Sequence, residues 1–201
     1  MSGRRLVAVF WIALMVVACD GSEAMPSANL DATGILLVGV GEQVQGGPAT
    51  EAFKMAFSDA LVLAEANGND LGYPWIDSSG VFFVSAVTPH GRDLIQAARI
   101  AVPYRVRDVT HGAGELRHIL DDATFLGSRG VPGAELIFRT VPDHRDNRAL
   151  IVISSMSRPL LEYLAAHYPI DAIAVQVDPS AGGAPASRPE RNLVAVIGRM
   201  T

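Results

Sequence analysis

The feature that most constrains the fold of this chain is an internal repeat in the order of its secondary-structure elements. Residues 75–84 combine a strand, a polar turn and a second strand, and a capped helix then leads to a strand at 104–109. Residues 143–152 begin the same series, which ends in a strand at 172–177. Such a unit packs its helix on one face of a small sheet. The sequence therefore predicts an α+β fold made of two related strand-strand-helix-strand modules.

Polar and small residues indicate where the elements of these modules begin. Thr88 and Ser157 are placed to cap helices, and Pro89 suits the first position of a helix. Thr110 is predicted to open a further helix that continues to Leu126. The other expected elements are turns at 77–80 and 142–148, strands at 81–87, 134–141 and 149–154, and a loop at 128–133.

A further strand and a helix are predicted before the first copy of the repeat. The segment 34–41 is apolar without interruption and is bounded by glycines, which is typical of a buried strand. Thr50 then caps a helix that extends to Asn67, because apolar residues recur there at spacings of three and four. Gly68 is expected to end this helix as its C-terminal stop.

The N-terminus carries the pattern of a bacterial lipoprotein signal. Arg4 and Arg5 precede the apolar run 6–17, and Ala18 stands directly before Cys19, which is the only cysteine. The run is shorter than the roughly 20 residues that span a bilayer. We predict that Cys19 is acylated, with palmitate among its chains, and anchors the protein on the extracytoplasmic side of a bacterial cell membrane. The alternatives are an ordinary secretory signal with an incidental cysteine and a short membrane anchor.

These patterns divide the chain into five parts. They are a signal peptide (1–18), a flexible tether (19–33), an N-terminal α+β module (34–127), a second α+β module (128–178) and a C-terminal part (179–201). The C-terminal part joins a linker rich in Gly, Pro and Ser to a short apolar strand at 193–197. This strand is expected to pair within the protein at a sheet edge; binding in a partner's cleft is the alternative.

Composition argues against several classes of ligand. The chain has 21 acidic and 16 basic residues, a formal net charge of −5, so nucleic acid is not an expected partner. A single cysteine allows no intramolecular disulfide. The five histidines stand singly, without the spacing of a metal site, and neither a metal nor another cofactor is predicted.

No constellation of catalytic residues is recognisable in the sequence. The nucleophile elbow Gly-x-Ser-x-Gly is missing, and Ser154, Ser155 and Ser157 lie at a strand-to-helix junction, where serine usually caps a helix. The polar stretch 143–147 is interpreted as a hairpin turn. We therefore predict that the protein is not an enzyme and has no catalytic residues.

Short motifs accompany the repeat. In the first module, Trp75 and Asp77 precede a hydrophobic strand, which is followed by a Thr-Pro pair at the start of a helix. In the second module, Asp143, Asn147 and Arg148 belong to an Asp-x-x-x-Asn-Arg turn before a Val-rich strand.

Through these motifs, residues 70–178 resemble the proregions of secreted bacterial serine proteases of the alpha-lytic and streptogrisin type. The resemblance implies two such modules and a role in binding protein, either to assist the folding of a protease or to inhibit it. Members of that family continue into a catalytic domain, whose Gly-Asp-Ser-Gly-Gly motif this sequence lacks. We expect a proregion-like module whose partner is a separate extracytoplasmic serine protease. The alternatives are an envelope lipoprotein with a structural or ligand-binding role and, third, a lipid-anchored hydrolase.

Overall fold

The computed structural model describes residues 29–39 and 50–181. The predicted signal peptide, the predicted lipid-attachment residue Cys19 and the predicted strand at 193–197 lie outside these ranges and stay predictions. Within the described ranges, no helix combines the length and the apolar character that crossing a membrane requires.

The described residues form four α-helices and eight strands, so the predicted α+β fold is confirmed. The helices are α1 (Glu51–Ala66), α2 (Pro89–Ala97), α3 (Ala113–Thr124) and α4 (Arg158–His167). The strands are β1 (Asn29–Leu30), β2 (Leu36–Val38), β3 (Leu71–Ile76), β4 (Phe82–Ala86), β5 (Arg105–Asp108), β6 (Ile137–Asp143), β7 (Arg148–Ile153) and β8 (Ile173–Val177).

The strands form two sheets that repeat one pairing pattern. In the three-stranded sheet, β3 is antiparallel to β4, and β4 is parallel to β5 beyond the crossover helix α2. In the five-stranded sheet, β6 is antiparallel to β7, and β7 is parallel to β8 beyond α4. On its other side β8 pairs with β2, which pairs with β1. The repeat is therefore present in the topology, and the second copy is extended by two strands.

Sheet membership crosses the predicted module boundary between residues 127 and 128. β1 and β2 precede α1 in the chain but complete the sheet of the second module. The last residues of the predicted tether, 29–33, also belong to the folded body, because they hold β1 and a turn. In that turn, Asp31 Oδ1 accepts hydrogen bonds from the N–H groups of Thr33 and Ile35. One hydrophobic core with residues from both sheets and all four helices joins the modules.

Three of the predicted helix starts are confirmed by their caps. The side-chain oxygens of Thr50, Thr88 and Ser157 each accept a hydrogen bond from the backbone N–H three residues further on. Thr88 Oγ1 also donates to Asp70 Oδ1 at 2.5 Å, which links the start of α2 to the start of β3.

The helix start predicted at Thr110 is wrong, because the chain passes close to another backbone segment before α3 begins. Gly112 is the N-cap of α3 and lies against the backbone of Gly68. The N–H of Gly114 donates to the carbonyl of Gly68 at 3.0 Å. A Cβ on Gly68 would lie 2.5 Å from the Gly114 nitrogen, so glycine at residue 68 permits this crossing. The C-cap of α1 is Asn67.

Two strand predictions are corrected. The segment 134–141 opens with a 3₁₀ turn, Ala134–Leu136, after Gly133 with φ +84°, so that β6 starts only at Ile137. The segment 34–41 was expected to be a buried strand but supplies the short strand β2, whose side chains are half-buried. Its neighbour on one side, β1, has only two residues and shields it poorly.

Candidate functional site

The turn between β6 and β7, residues 143–147, lies against the three-stranded sheet; we call it the docked turn. Asp143 Oδ1 accepts hydrogen bonds from the N–H groups of Arg145 at 3.1 Å and Asp146 at 3.2 Å, which fixes the bend. Asn147 adopts φ +53°, a left-handed conformation that asparagine tolerates better than most residues. The hairpin turn predicted at 143–147 is thereby confirmed.

Facing the docked turn, β3 has an irregularity around Pro74. The β3–β4 register shifts there, because proline has no N–H to donate to the ladder. Two carbonyl groups at this irregularity find other donors. Ser85 Oγ donates to the carbonyl of Tyr73 at 2.7 Å, and His144 Nδ1 donates to the carbonyl of Pro74 at 3.0 Å. Since a carbonyl oxygen can only accept, Nδ1 carries the imidazole proton.

The imidazole of His144 is stacked between two aromatic rings. Its centroid lies 5.0 Å from that of Tyr73 and 6.0 Å from that of Phe57, with interplanar angles of 7° and 11°. Desolvation lowers the pKa of His144 from 6.5 to about 4, an effect that the charge of Arg107 reinforces and the bond to Pro74 opposes. The ring is therefore neutral near pH 7, and it acts as a packing surface with one directed hydrogen bond.

Arg107 on β5 ties the docked turn to the three-stranded sheet. Its guanidinium donates to the carbonyl of Arg145 at 2.5 Å and to the carbonyl of His144. Its Nε donates to Ser85 Oγ at 2.9 Å. The Cζ atom lies 5.4 Å from the ring centroid of Trp75, a cation–π contact. One cation thus holds two backbone carbonyls of the second module and two side chains of the first.

Asn147 makes a further link between the modules. Its Nδ2 donates to the carbonyl of His111 at 2.9 Å, and its Oδ1 lies against Gly72, where a Cβ would be 3.0 Å away. The ring of His111 has Glu115 Oε2 3.1 Å from Nδ1 and Asp171 Oδ2 3.1 Å from Nε2. These contacts place the N-terminal end of α3 beside the 3₁₀ turn that precedes β8, although His111 Nε2 forms no hydrogen bond in the described parts of the chain.

The structure brings together three of the five residues of the family motifs at this contact, namely Trp75, Asp143 and Asn147. Asp77 lies elsewhere, in the β3–β4 turn, where its carboxylate accepts hydrogen bonds from nearby side-chain and backbone groups that lower its pKa. Arg148 opens β7 and is in register with Asp143 of β6. The motif residues therefore shape turns and the contact between the modules.

Most polar atoms of this contact form hydrogen bonds within the protein, whereas Asn147 Oδ1 is buried and has no hydrogen-bond partner in the described parts of the chain. Ser85 is fully buried, and its hydroxyl already donates to one group and accepts from another, so it offers no exposed nucleophile. In the described parts of the chain, no three His, Cys, Asp or Glu side chains are grouped as a metal site requires. Sequence reasoning missed Ser85 and Arg107. The signal that could have found them is Pro74 inside a predicted strand, which indicates carbonyl groups in need of donors.

The second feature of interest is the edge of the five-stranded sheet at β6, which among the described strands pairs with β7 alone. Three exposed apolar side chains belong to β6 or to segments next to residues that bond at this strand, since Ser154 N–H donates to the carbonyl of Leu136 two residues before Met156. Phe138 of β6 is 37% exposed, and Phe125 and Met156 are each 51% exposed. Phe125 follows α3, whose Thr124 Oγ1 lies 3.0 Å from Thr140 Oγ1 on β6. We call Phe125, Phe138 and Met156 the edge patch.

The described sheet edges differ in their capacity to accept another strand. β5 carries the charged residues Arg105 and Asp108, β3 contains Pro74, and β1 has only two residues. Charge, proline and shortness each protect an edge from strand addition. β6 is seven residues long; it has one exposed charge in mid-strand, Arg139, and its Pro142 and Asp143 lie at the turn end, so most of its length is free of both kinds of protection. Of these edges, β6 is therefore the best suited to bind an extended segment.

No protein-family model matches the chain, and no curated protein is significantly similar to it.

Proposed function

We propose that this protein is a non-catalytic, protein-binding lipoprotein, anchored through Cys19 on the extracytoplasmic side of the membrane. Its partner is a separate extracytoplasmic serine protease of the secreted bacterial type, whose folding it assists or whose activity it inhibits. The observation that carries the proposal is the β6 edge with exposed apolar side chains beside it.

Strand addition at this edge gives the binding a physical basis. The outer main-chain groups of β6 pair with an extended segment of the partner, and the edge patch covers the apolar side chains of that segment. Each large apolar side chain that becomes fully buried contributes about 1.5–3 kcal/mol. A protease whose own strand is only partly formed in the folding transition state is stabilised by such a template.

The docked turn supports this role because it belongs to the hairpin that presents β6. Arg107 of β5 donates to the carbonyl of Arg145 in the turn, and Asn147 of the turn donates to the carbonyl of His111. The stacked ring of His144 fills the space beneath the turn end of the hairpin. An edge that is rigid before binding loses less conformational entropy when the partner docks.

A refolding assay tests the proposal. The full-length protein in detergent micelles is mixed with a denatured secreted bacterial serine protease that lacks its own proregion, and the recovered protease activity is measured. We expect a recovery at least tenfold above the spontaneous level. Phe138→Asp should remove most of this gain, because a carboxylate replaces an apolar contact in the edge patch. The matched control is Met55→Asp, since Met55 on α1 is also an exposed apolar residue, at 67%.

Two results would count against the proposal. An unchanged refolding yield, together with unchanged activity of the native protease, would contradict the function itself. Equal losses in Phe138→Asp and Met55→Asp, with both variants folded by circular dichroism, would contradict the assignment of binding to the β6 edge.

A further inference from the structure

The five-stranded sheet has a second apolar face, directed away from the helices, which we call the outer face. Leu150 and Val152 of β7 and Ala174 of β8 form its centre, and all three are fully excluded from solvent. The apolar side chains that surround them come from β2 and β6 and are Leu36, Val38 and Val141.

The helices pack on the opposite face of this sheet. There Ile151 of β7 and Val175 of β8 share one cluster with Leu120 of α3 and Leu164 of α4. Among the described residues, the apolar side chains that contact the outer face all belong to the same sheet. Neighbouring strands shield the flanks of a side chain and leave its tip open. Complete exclusion of Leu150, Val152 and Ala174 from solvent therefore requires a layer over the centre of the outer face, as parallel strands generally have on both faces.

Gln176 on the outer face indicates that the covering layer must also supply a hydrogen-bond donor. Gln176 is 4% exposed and lies in register with Val38 of β2 and Val152 of β7. Its Nε2 donates to the carbonyl of Gly39 at 3.2 Å, whereas its Oε1 has no hydrogen-bond partner in the described parts of the chain. A buried acceptor left without a donor destabilises the folded state. The covering layer is therefore expected to carry an N–H donor as well as apolar side chains.

We propose that the segment 193–197 of this same chain covers the outer face and donates a backbone N–H to Gln176 Oε1. Its sequence, Leu-Val-Ala-Val-Ile, is wholly apolar, and a backbone supplies the donor that its side chains lack. The other long apolar run outside the described ranges, 6–17, belongs to the predicted signal peptide.

The length of the linker 182–192 allows the segment 193–197 to reach the outer face. The described body ends at Ala181, shortly after β8, which is one of the two strands at the centre of the outer face. Residues 182–192 can span roughly 36 Å when extended, far more than the roughly 5 Å between neighbouring strands. A connection of only 11 residues also gives the segment an effective concentration in the millimolar range. This inference does not rest on the proposed function, because the outer face and the β6 edge are different surfaces.

Disulfide trapping tests the contact in the full-length chain with Cys19→Ser. One variant combines Val152→Cys with Ala195→Cys, and the control combines Phe83→Cys on β4 with Ala195→Cys. Under mild oxidation we expect an intramolecular disulfide at least ten times more abundant in the first variant, measured by mass spectrometry of proteolytic peptides. Equal trapping in both would overturn the proposal, and so would an intermolecular Val152→Cys disulfide, which would assign the outer face to a second copy.

A second measurement avoids any change in the folded body. Val194→Asp combined with Val196→Asp places charges in the covering segment, and Met200→Asp places one charge beyond it. We expect the first variant to bind a dye specific for exposed apolar surface at least fivefold more strongly than the unchanged protein, and Met200→Asp to leave dye binding unchanged. Unchanged dye binding in the first variant would contradict the proposal.

Discussion

The two modules share a pairing pattern but differ in how completely their sheets are enclosed. In β7, every residue after Arg148 is buried, and the side chains point alternately to both faces of the sheet. In β4, Phe83 is only half-buried and stacks at 5.1 Å on Trp75, whereas Ser85 on the same face is fully buried. A continuous apolar run is typical of a strand covered on both faces, and β4 has such cover over only part of its second face. The strand-strand-helix-strand unit thus forms part of the five-stranded sheet in the second module and all of the three-stranded sheet in the first.

The largest expected effect comes from the enclosed strand. Ile151→Ala should lower the free energy of unfolding by about 4 kcal/mol, because it leaves a cavity in the shared core. Phe83→Ala on β4 removes a larger side chain but should cost only about 1.5 kcal/mol, since that ring is half-buried. Denaturant unfolding followed by circular dichroism measures both. Equal losses would show that the two sheets are enclosed to the same degree.

The next prediction concerns the glycine crossing between the end of α1 and the start of α3. Gly112→Ala should cost about 3 kcal/mol, because a Cβ there collides with the carbonyl oxygen of Gly68 and the two backbones must separate. Gly127→Ala is the matched control, since the nearest atom to its Cβ, the carbonyl oxygen of Ala134, is 4.0 Å away. Thermal unfolding of the two variants separates a close crossing from a general effect of replacing glycine.

Removing the Arg107 guanidinium at the contact between the modules should lower the free energy of unfolding slightly less than Gly112→Ala does. Arg107→Ala leaves the carbonyls of His144 and Arg145 without their charged donor, and we expect a loss of about 2.5 kcal/mol. Arg105→Ala, at an exposed residue of the same strand, should change the free energy of unfolding by less than about 0.5 kcal/mol. Similar losses in both variants would contradict a specific role for Arg107.

The smallest expected effect depends on pH. The pKa of His144 is about 4 in the folded protein and about 6.5 in the unfolded chain, so the unfolded chain binds more protons between these values. The stability that the neutral ring provides is fully present above pH 6.5 and declines as the pH falls toward 4, by about 2 kcal/mol after allowance for residual exposure. His144→Phe keeps the stacking and should remove this decline, whereas exposed His118→Phe should retain it. Denaturant unfolding at pH 7.5 and pH 4.5 decides between them.

The elements with local signals were predictable from the sequence. Thr88 with Pro89 and Ser157 with its following apolar residues fixed helix starts, because capping depends on neighbours within three positions. The start of α3 was mispredicted because it depends on a backbone crossing with Gly68, which is remote in sequence. The addition of β1 and β2 to the second sheet likewise depends on long-range pairing.

In the candidate site, too, features set by neighbouring residues were predictable and features set by long-range contacts were not. The turn at 143–147 was predictable because Asp143 and Asn147 are residues that favour turns. What the turn touches was not predictable, because Arg107 and the aromatic rings around His144 come from other elements. The exposed edge at β6 also required the strand order, since a strand is an edge only by virtue of its place in the sheet.

Amide hydrogen exchange of the full-length protein, alone and in complex with the refolded protease, tests the role of the β6 edge most directly. Binding at this edge predicts exchange at least tenfold slower at residues 137–141, with residues 105–108 of the charged edge unchanged. Protection confined to 105–108, or no protection at either edge in a complex that has formed, would contradict it.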